Sequence, residues 1–407
     1  MERKLLFEIK NRTNLALILL ISISVFFIIK SLANIIFANQ ADEGYYLYYA
    51  KSISDNGITH FPDLFKFYLG DKANWVYPSP LRIGFITISS LFAKIFGNSF
   101  ISLSLLSLFS FVVFLIVNFH FIKKYFSEKI ALLSVALLAF SPINMAMARR
   151  ALMDSTANLF ICLAVWLFLD SLKEDRLLKK ILFVLAYSAA ILIRENSALL
   201  SIFFLAYILI RSSIIRENKA RIADILTTTF IPFIIVGIAY IVAAGGVSQV
   251  ANTARIILNS PKTNLYAINF GSGPWFRYLI DFMLLSPWVL ILFIGFIFYY
   301  IMKDKGQEEV NYLLFFFLSS IIIFSFFTKN IRYLIFLDMP LRLSAILMLN
   351  ELTKRIFKDR FFVALFIIVL LVSLSDYRSF DYLFVKNGIY DPVSCWLLQA
   401  SRIIPWK

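Results

Sequence analysis

Charge is scarce in this chain of 407 residues: Asp, Glu, Lys and Arg together make up 16% of it. Cysteine is nearly missing. Cys162 and Cys395 cannot build a disulfide framework, and Cys162 lies inside an apolar run, which argues against even one bridge. The two histidines, His60 and His120, show no zinc-ligand spacing. No repeat period and no low-complexity segment is visible, which argues against a solenoid or a linker-rich scaffold. Apolar residues, by contrast, reach 60%, with 44 phenylalanines and a mean hydropathy of +0.80. A soluble protein of this length cannot hide that much apolar surface, because single cores stop growing with size. The composition therefore describes an integral membrane protein and excludes soluble enzymes and disulfide-rich secreted domains.

The basic residues outnumber the acidic ones, 40 to 25, for a net charge of +15. In a membrane protein this excess belongs in the cytoplasmic loops and implies no nucleic-acid partner. Hydropathy predicts about eleven spans, near 14–37, 99–122, 129–147, 152–171, 180–194, 197–212, 222–243, 286–302, 311–328, 331–350 and 360–376. The first is too long for a signal-peptide core and reads as an uncleaved span. With a cytoplasmic N-terminus, the inner segments hold Lys123, Lys124, Lys173, Lys179, Arg211, Arg216, Lys303, Lys305, Lys354, Lys358 and neighbours, more than half of all basic residues. An odd number of spans then places the C-terminal tail, 377–407, outside. The domain reading is a transmembrane unit over 1–376 and that short extracytoplasmic tail.

Three outer segments are long: 38–98, 244–285 and 377–407. Functional residues concentrate on loops held by a rigid scaffold. The first loop carries amphipathic helical patterns at 43–56 and 81–96, rich in the aromatic residues that suit a membrane interface.

Candidate chemistry clusters at the outer ends of the spans. Asp42 and Glu43, just after span one, suit a general base acting on an acceptor hydroxyl or amine; an N-terminal cap is the plainer alternative. Arg149 and Arg150 oppose the charge bias, and their guanidinium forks suit a phosphate. Arg150 and Asp154, four apart, are expected on one helical face, where a surface ion pair is the plainer alternative. Arg194 and Glu195 occupy a very short turn as an expected structural pair. Lys329, Arg332 and Tyr333 precede Asp338 and Arg342, whose i,i+4 spacing predicts a buried ion pair. Gly271-Ser272-Gly273-Pro274-Trp275 closes the second long outer loop before a short helix that includes Arg277. Cations and carboxylates gathered at one bilayer face suit a reaction on a lipid phosphate: the cations neutralise the leaving group and a carboxylate activates the nucleophile.

In order and placement, these motifs resemble the GT-C membrane glycosyltransferases, specifically the family 39-like group of protein O-mannosyltransferases and aminoarabinose transferases. The resemblance spans most of the first ten spans. It rests on Asp42-Glu43, on Tyr77-Pro78-Ser79-Pro80 ahead of a helix ending at Phe96-Gly97, and on Ser141-Pro142 followed by Arg150 and Asp154. Gly273-Pro274-Trp275 with Ser286-Pro287, then Lys329, Arg332 and Tyr333 with Pro340, complete the set.

The resemblance implies an all-α GT-C fold and a polyprenyl-phosphate sugar donor. It implies transfer outside the cytoplasm, with inversion at the anomeric carbon and Asp42 as base; from the short chain, the plasma membrane is the expected location. Glu43 and Asp154 join Asp42 as catalytic candidates, and Arg149, Arg150, Arg194, Lys329, Arg332 and Tyr333 are the candidates for holding the donor phosphate. Metal use varies in the family: the resemblance leaves room for a divalent ion near Asp42, Glu43 or Asp154 and requires none. Two departures stand out. The tail is too small for the soluble domain some relatives append, and Arg194-Glu195-Asn196 stands where relatives often carry Lys-Gly. The acceptor, whether protein, lipid or glycan, stays open. Two alternatives also stay open: a transporter of lipid-linked sugars, and a surface-glycan polymerase or ligase.

Overall fold

The computed structural model describes residues 2–39, 41–215, 219–264, 267–268, 271–302 and 306–388. Arg216, Lys303, Lys305, Cys395 and most of the expected tail lie outside the described residues. The described residues are helical throughout, without strands. The helices are α1 (Glu2–Leu32), α2 (Asp42–Asn56), α3 (Phe61–Gly70), α4 (Ile83–Phe96), α5 (Phe100–Tyr125) and α6 (Glu128–Ala139). They continue as α7 (Pro142–Ala148), α8 (Asp154–Lys173), α9 (Leu177–Ile193), α10 (Leu200–Ile215), α11 (Lys219–Ala244) and α12 (Val247–Thr263). The last are α13 (Arg277–Leu285), α14 (Pro287–Ile301), α15 (Glu308–Ser325), α16 (Asp338–Phe357) and α17 (Phe361–Phe380).

Side-chain caps fix where several helices begin. Ser99 accepts from Ser102 N at 3.3 Å, Ser127 from Ile130 N at 3.2 Å and Ser141 from Asn144 N at 3.4 Å, each satisfying an otherwise orphaned N–H. Pro142 at the first turn of α7 cannot continue α6, and the two helices bend by 63°. The sequence predicts one straight span over 129–147; the structure makes it this bent pair. A sharper bend, 105°, separates α11 from α12 at Gly245 and Gly246, whose φ of 75° and 153° suits glycine.

Among the described residues four helices are long and apolar enough to cross a membrane: the 13–32 part of α1, α5, α8 and α15. They become six if each bent pair counts as one span. Helices do occupy every expected position, but several are short. Span ten, expected from 331, begins as a tight 3-10 segment at Ile331–Leu337 before α16. Likewise α17 runs through Phe380 and continues as wider π-helical turns at Asp381–Lys386, so residues 377–386 extend the last helix.

The core centres on α8, which packs against α5, α9 and the 331–337 segment. Trp166 is fully buried there; its indole N–H donates to Asn118 Oδ1 at 2.9 Å, and its ring stacks on Phe121. The outward faces of α1 and α17 instead present Leu15, Phe26, Phe366 and Leu370, as lipid-facing surfaces do.

Both amphipathic helices expected in the first outer loop are present, as α2 and α4, and they pack on each other. Sequence reasoning missed α3 and α12. They also pack together, and α3 joins a second, smaller apolar cluster with Tyr49, Phe61, Phe65, Leu81 and Ala244. Leu192 of α9 and Tyr240 of α11 pack against this cluster, joining the first loop to the bundle.

Candidate active site

The two acids at the start of α2 take different places. Glu43 is buried and clamped. It accepts from the backbone N–H of Ala38 at 2.9 Å and of Ala151 at 3.1 Å, and it pairs with Arg150 Nη2. Those bonds tie the end of α1 and the turn before α8 to the first loop. Asp42 is the more open of the two, its side chain 42% exposed. It is not a helix cap, because the capping position is Ala41, without a side-chain bond. It faces Arg332 Nη2 at 3.9 Å.

Arg332 links Asp42 to the bundle. Its other nitrogen lies 3.8 Å from Asp154 Oδ2. Asp154 begins α8, is buried, and meets Arg194 Nη2 at 3.3 Å. Arg194 in turn donates to the Arg332 carbonyl at 3.0 Å and lies 4.8 Å over the Tyr333 ring. Asp42, Arg332, Asp154 and Arg194 thus form one alternating chain of charge. Each carboxylate of this chain faces a guanidinium.

Beside this chain sits a pair the sequence gives no hint of. Arg82 grips Glu195 with both its Nε, at 2.9 Å, and its Nη2, at 3.0 Å, and also donates to the Tyr46 hydroxyl. Burial pulls the Arg82 pKa down, yet Glu195 and Tyr46 outweigh it and hold the guanidinium charged. Burial likewise raises Glu195, and Arg82 more than reverses this, leaving its carboxyl below the usual range. The expected Arg194–Glu195 pair therefore does not form. The two neighbours point to different partners, because an extended Arg194 backbone sends successive side chains to opposite sides.

Arg150 and Asp154 do not share a helical face. The chain leaves α7 at Ala148 and begins α8 only at Asp154, so the i,i+4 spacing carries no helical geometry. Arg150 turns to Glu43 and to the Ile36 carbonyl at 3.4 Å. Arg149 is committed elsewhere: it donates to the carbonyls of Ser31 at 2.6 Å and Phe384 at 3.4 Å, joining α1 to the C-terminal π turns. Neither arginine joins the charge chain around Asp154.

Lys329 lies at the edge of the site. Its backbone N–H donates to the Gly271 carbonyl at 2.8 Å, pinning the glycine-rich loop against it. Burial pushes its ammonium pKa below the ordinary lysine value, and nearby Arg277 pushes it further the same way. Arg277, which starts α13, is fully buried and donates to the Ser272 carbonyl. The predicted Asp338–Arg342 pair exists at 2.7 Å inside the bundle, joined by Asp376 at 2.5 Å.

Among the described residues no three His, Cys, Asp or Glu side chains converge as a metal site. Asp42 and Asp154 are bridged by Arg332. That donor set does not fit a resident divalent ion.

Comparison with known proteins agrees with this picture. Residues 83–240 match the family model described as dolichyl-phosphate-mannose-protein mannosyltransferase. No curated protein matches by sequence. The fold is similar to that of ArnT from Cupriavidus metallidurans bound to undecaprenyl phosphate, with a TM-score of 0.56 and 15% identity over 95% of this chain and 68% of that one. Against apo ArnT from the same organism the TM-score is 0.50, with 12% identity over 91% of this chain and 72% of that one. The resemblance read from the sequence and the enzyme class it implies, a membrane glycosyltransferase, are both borne out by the family match. The all-α, ArnT-like fold is shared along nearly the whole chain.

Proposed function

We propose that the protein transfers a sugar from a polyprenyl-phosphate donor to an acceptor at the extracytoplasmic membrane face, with Asp42 as general base. One observation carries the assignment. Of the three candidate acids, Asp42 alone opens to solvent, at 42%, against 2% for Glu43 and 4% for Asp154. A base must reach its proton, and only Asp42 has the access.

In this reading the acceptor O–H gives its proton to an Asp42 oxygen while its oxygen attacks the anomeric carbon. The bond from that carbon to the phosphate oxygen breaks, and the polyprenyl phosphate leaves with the electron pair. The products are the glycosylated acceptor, polyprenyl phosphate and a protonated Asp42. Attack opposite the leaving group inverts the anomeric centre. Arg332 faces Asp42 at 3.9 Å before the step. Arg332 and Lys329 meet the phosphate charge as it develops, where fixed cations contribute most. Asp154 and Arg194 hold Arg332 in place, with Tyr333 beneath Arg194. Glu43, Arg150 and Arg149 serve as fasteners of the loop and the bundle, away from the reacting atoms. The undecaprenyl phosphate bound to ArnT supports the donor class.

The test uses the full chain in liposomes with a panel of polyprenyl-phosphate sugars, following release of polyprenyl phosphate. Asp42→Asn is expected to lose turnover by about 10²–10⁴-fold, the usual contribution of a general base. Wild-type turnover in Asp42→Asn overturns the catalytic assignment. Movement of the intact sugar lipid across the bilayer without release identifies a transporter instead.

A further inference from the structure

The last described helix ends beside an open cavity of about 460 Å³, lined by Leu284 of α13 and by Leu371, Leu374, Ser375, Arg378, Ser379, Tyr382 and Leu383. Its volume lies within the range of about 300–1,000 Å³ typical of small-molecule sites. None of these residues belongs to the charge chain around Asp42. Four leucines, an arginine, two serines and a tyrosine line the cavity.

Depth sets the environment. Arg378 lies 17 residues beyond Phe361, the first residue of α17, so about 26 Å separates them at 1.5 Å per residue. Phe361 follows the charged turn Lys358–Arg360. A hydrocarbon core is about 30 Å thick, so Arg378 reaches the level of lipid headgroups at the opposite face. The side chains of Leu371 and Leu374 are 59% and 50% exposed, as lipid-facing residues are.

The arginine lacks a carboxylate partner among the described residues, and the structure shows why. Asp376 points inward to Arg342 at 2.5 Å, and Asp381 pairs with Lys386 at 2.7 Å. The nearby acids are thus both taken. The helix also widens into π turns at 381–386, which supply Tyr382 and Leu383 to the lining, a distortion found often at functional sites.

We propose that this cavity is a binding site for an anionic glycerophospholipid. The Arg378 guanidinium grips the phosphate diester, the Ser375 and Ser379 hydroxyls border the headgroup, and the acyl chains lie along Leu284, Leu371 and Leu374. Charge complementarity selects an anionic lipid over a zwitterionic one. The lipid would also brace the π turns, whose Phe384 carbonyl receives Arg149 and so connects with α1 at Ser31.

Native mass spectrometry of the full chain from nanodiscs of mixed phosphatidylglycerol and phosphatidylcholine tests this. The wild type is expected to retain one phosphatidylglycerol with about fivefold preference, as one basic residue contributes near an anionic surface. Arg378→Gln is expected to lose the preference, Arg378→Lys to keep most of it, and Leu374→Trp to lose the bound lipid by filling the cavity. Each variant's thermal unfolding is measured alongside to confirm that it is folded. An undiminished preference in Arg378→Gln overturns the proposal. So does displacement of phosphatidylglycerol by stoichiometric undecaprenyl phosphate, which would make the cavity part of the donor site.

Discussion

Adjacent residues can carry opposite kinds of work, and Asp42 and Glu43 show it. Their chemistry is alike, but one faces solvent and the other is clamped by Arg150 and two backbone donors. Glu43→Gln strands the Arg150 charge in a dry site and is expected to cost about 3 kcal/mol of stability, read as a lowered thermal midpoint. Asp42→Asn is expected to keep the wild-type midpoint while losing turnover. A reversed pattern would exchange their roles. Lys329 supplies a second residue-scale prediction. Its lowered pKa means that it gives up its proton at a lower pH than an ordinary lysine. Donor binding is therefore expected to weaken early as pH rises. Lys329→Arg, charged throughout, should keep its KM flat over the same range, measured from pH 7 to 10. A wild-type KM as flat as that of the arginine variant would remove Lys329 from the phosphate site. The sequence made the residue types at this site legible, but not their pairing. Spacing suggested Arg150 with Asp154 and Arg194 with Glu195, and both suggestions assumed a continuous helix or turn where the backbone is extended or broken. Arg82 went unnoticed because its partner Glu195 lies 113 residues away, and nothing local marks such a pair.

At the scale of elements, most helices were legible because long apolar runs have few other ways to satisfy their backbone in lipid. The two amphipathic helices of the first loop were legible for a related reason, a one-sided apolar pattern. Less visible were α3 and α12, since they rest on one another rather than on the membrane. Bends were invisible too, because a serine cap and a proline look alike in a turn and in a kinked span. Two predictions belong here. A Cβ on Gly44 would lie 1.8 Å from the Asn39 carbonyl oxygen, so the start of α2 packs directly on the chain leaving α1. Gly44→Ala is expected to displace Asp42 and cut turnover while leaving the bundle folded, measured by activity beside thermal unfolding. Wild-type activity would show that the turn yields at no cost to the site. The Arg82–Glu195 pair joins the first loop to the turn after α9. A double-mutant cycle with Arg82→Gln and Glu195→Gln is expected to give a coupling on the order of 1–2 kcal/mol; additive losses would mean that the pair only coexists.

Across the whole molecule, two ionic layers are separated by apolar helix. In α8, Asp154 sits in the outer charge chain, while Asp170 binds Lys124 and Lys179 at 2.7 Å each near the other end. A separation of sixteen residues amounts to about 24 Å, close to the thickness of a hydrocarbon core. The lower layer is rich in lysine, with Lys123–Glu128 and Arg211–Glu308 adding to it. Positive charge collects on the cytoplasmic side, so we propose that the Asp154 layer faces outside, where a lipid-linked donor and an external acceptor can meet. Helix length alone accounts for four to six crossings. The eleven-span count rests on hydropathy and the sidedness on the charges, and they can be tested together. In a background with Cys162→Ala and Cys395→Ala, Lys72→Cys lies on the first outer loop and Lys358→Cys on the turn before α17. A membrane-impermeant maleimide applied to intact cells is expected to label Lys72→Cys at once and Lys358→Cys only after the membrane is opened. Labelling of both from outside would place α16 and α17 in a different register with the bilayer. The reverse order would put Asp42 in the cytoplasm, away from the face where transfer is proposed.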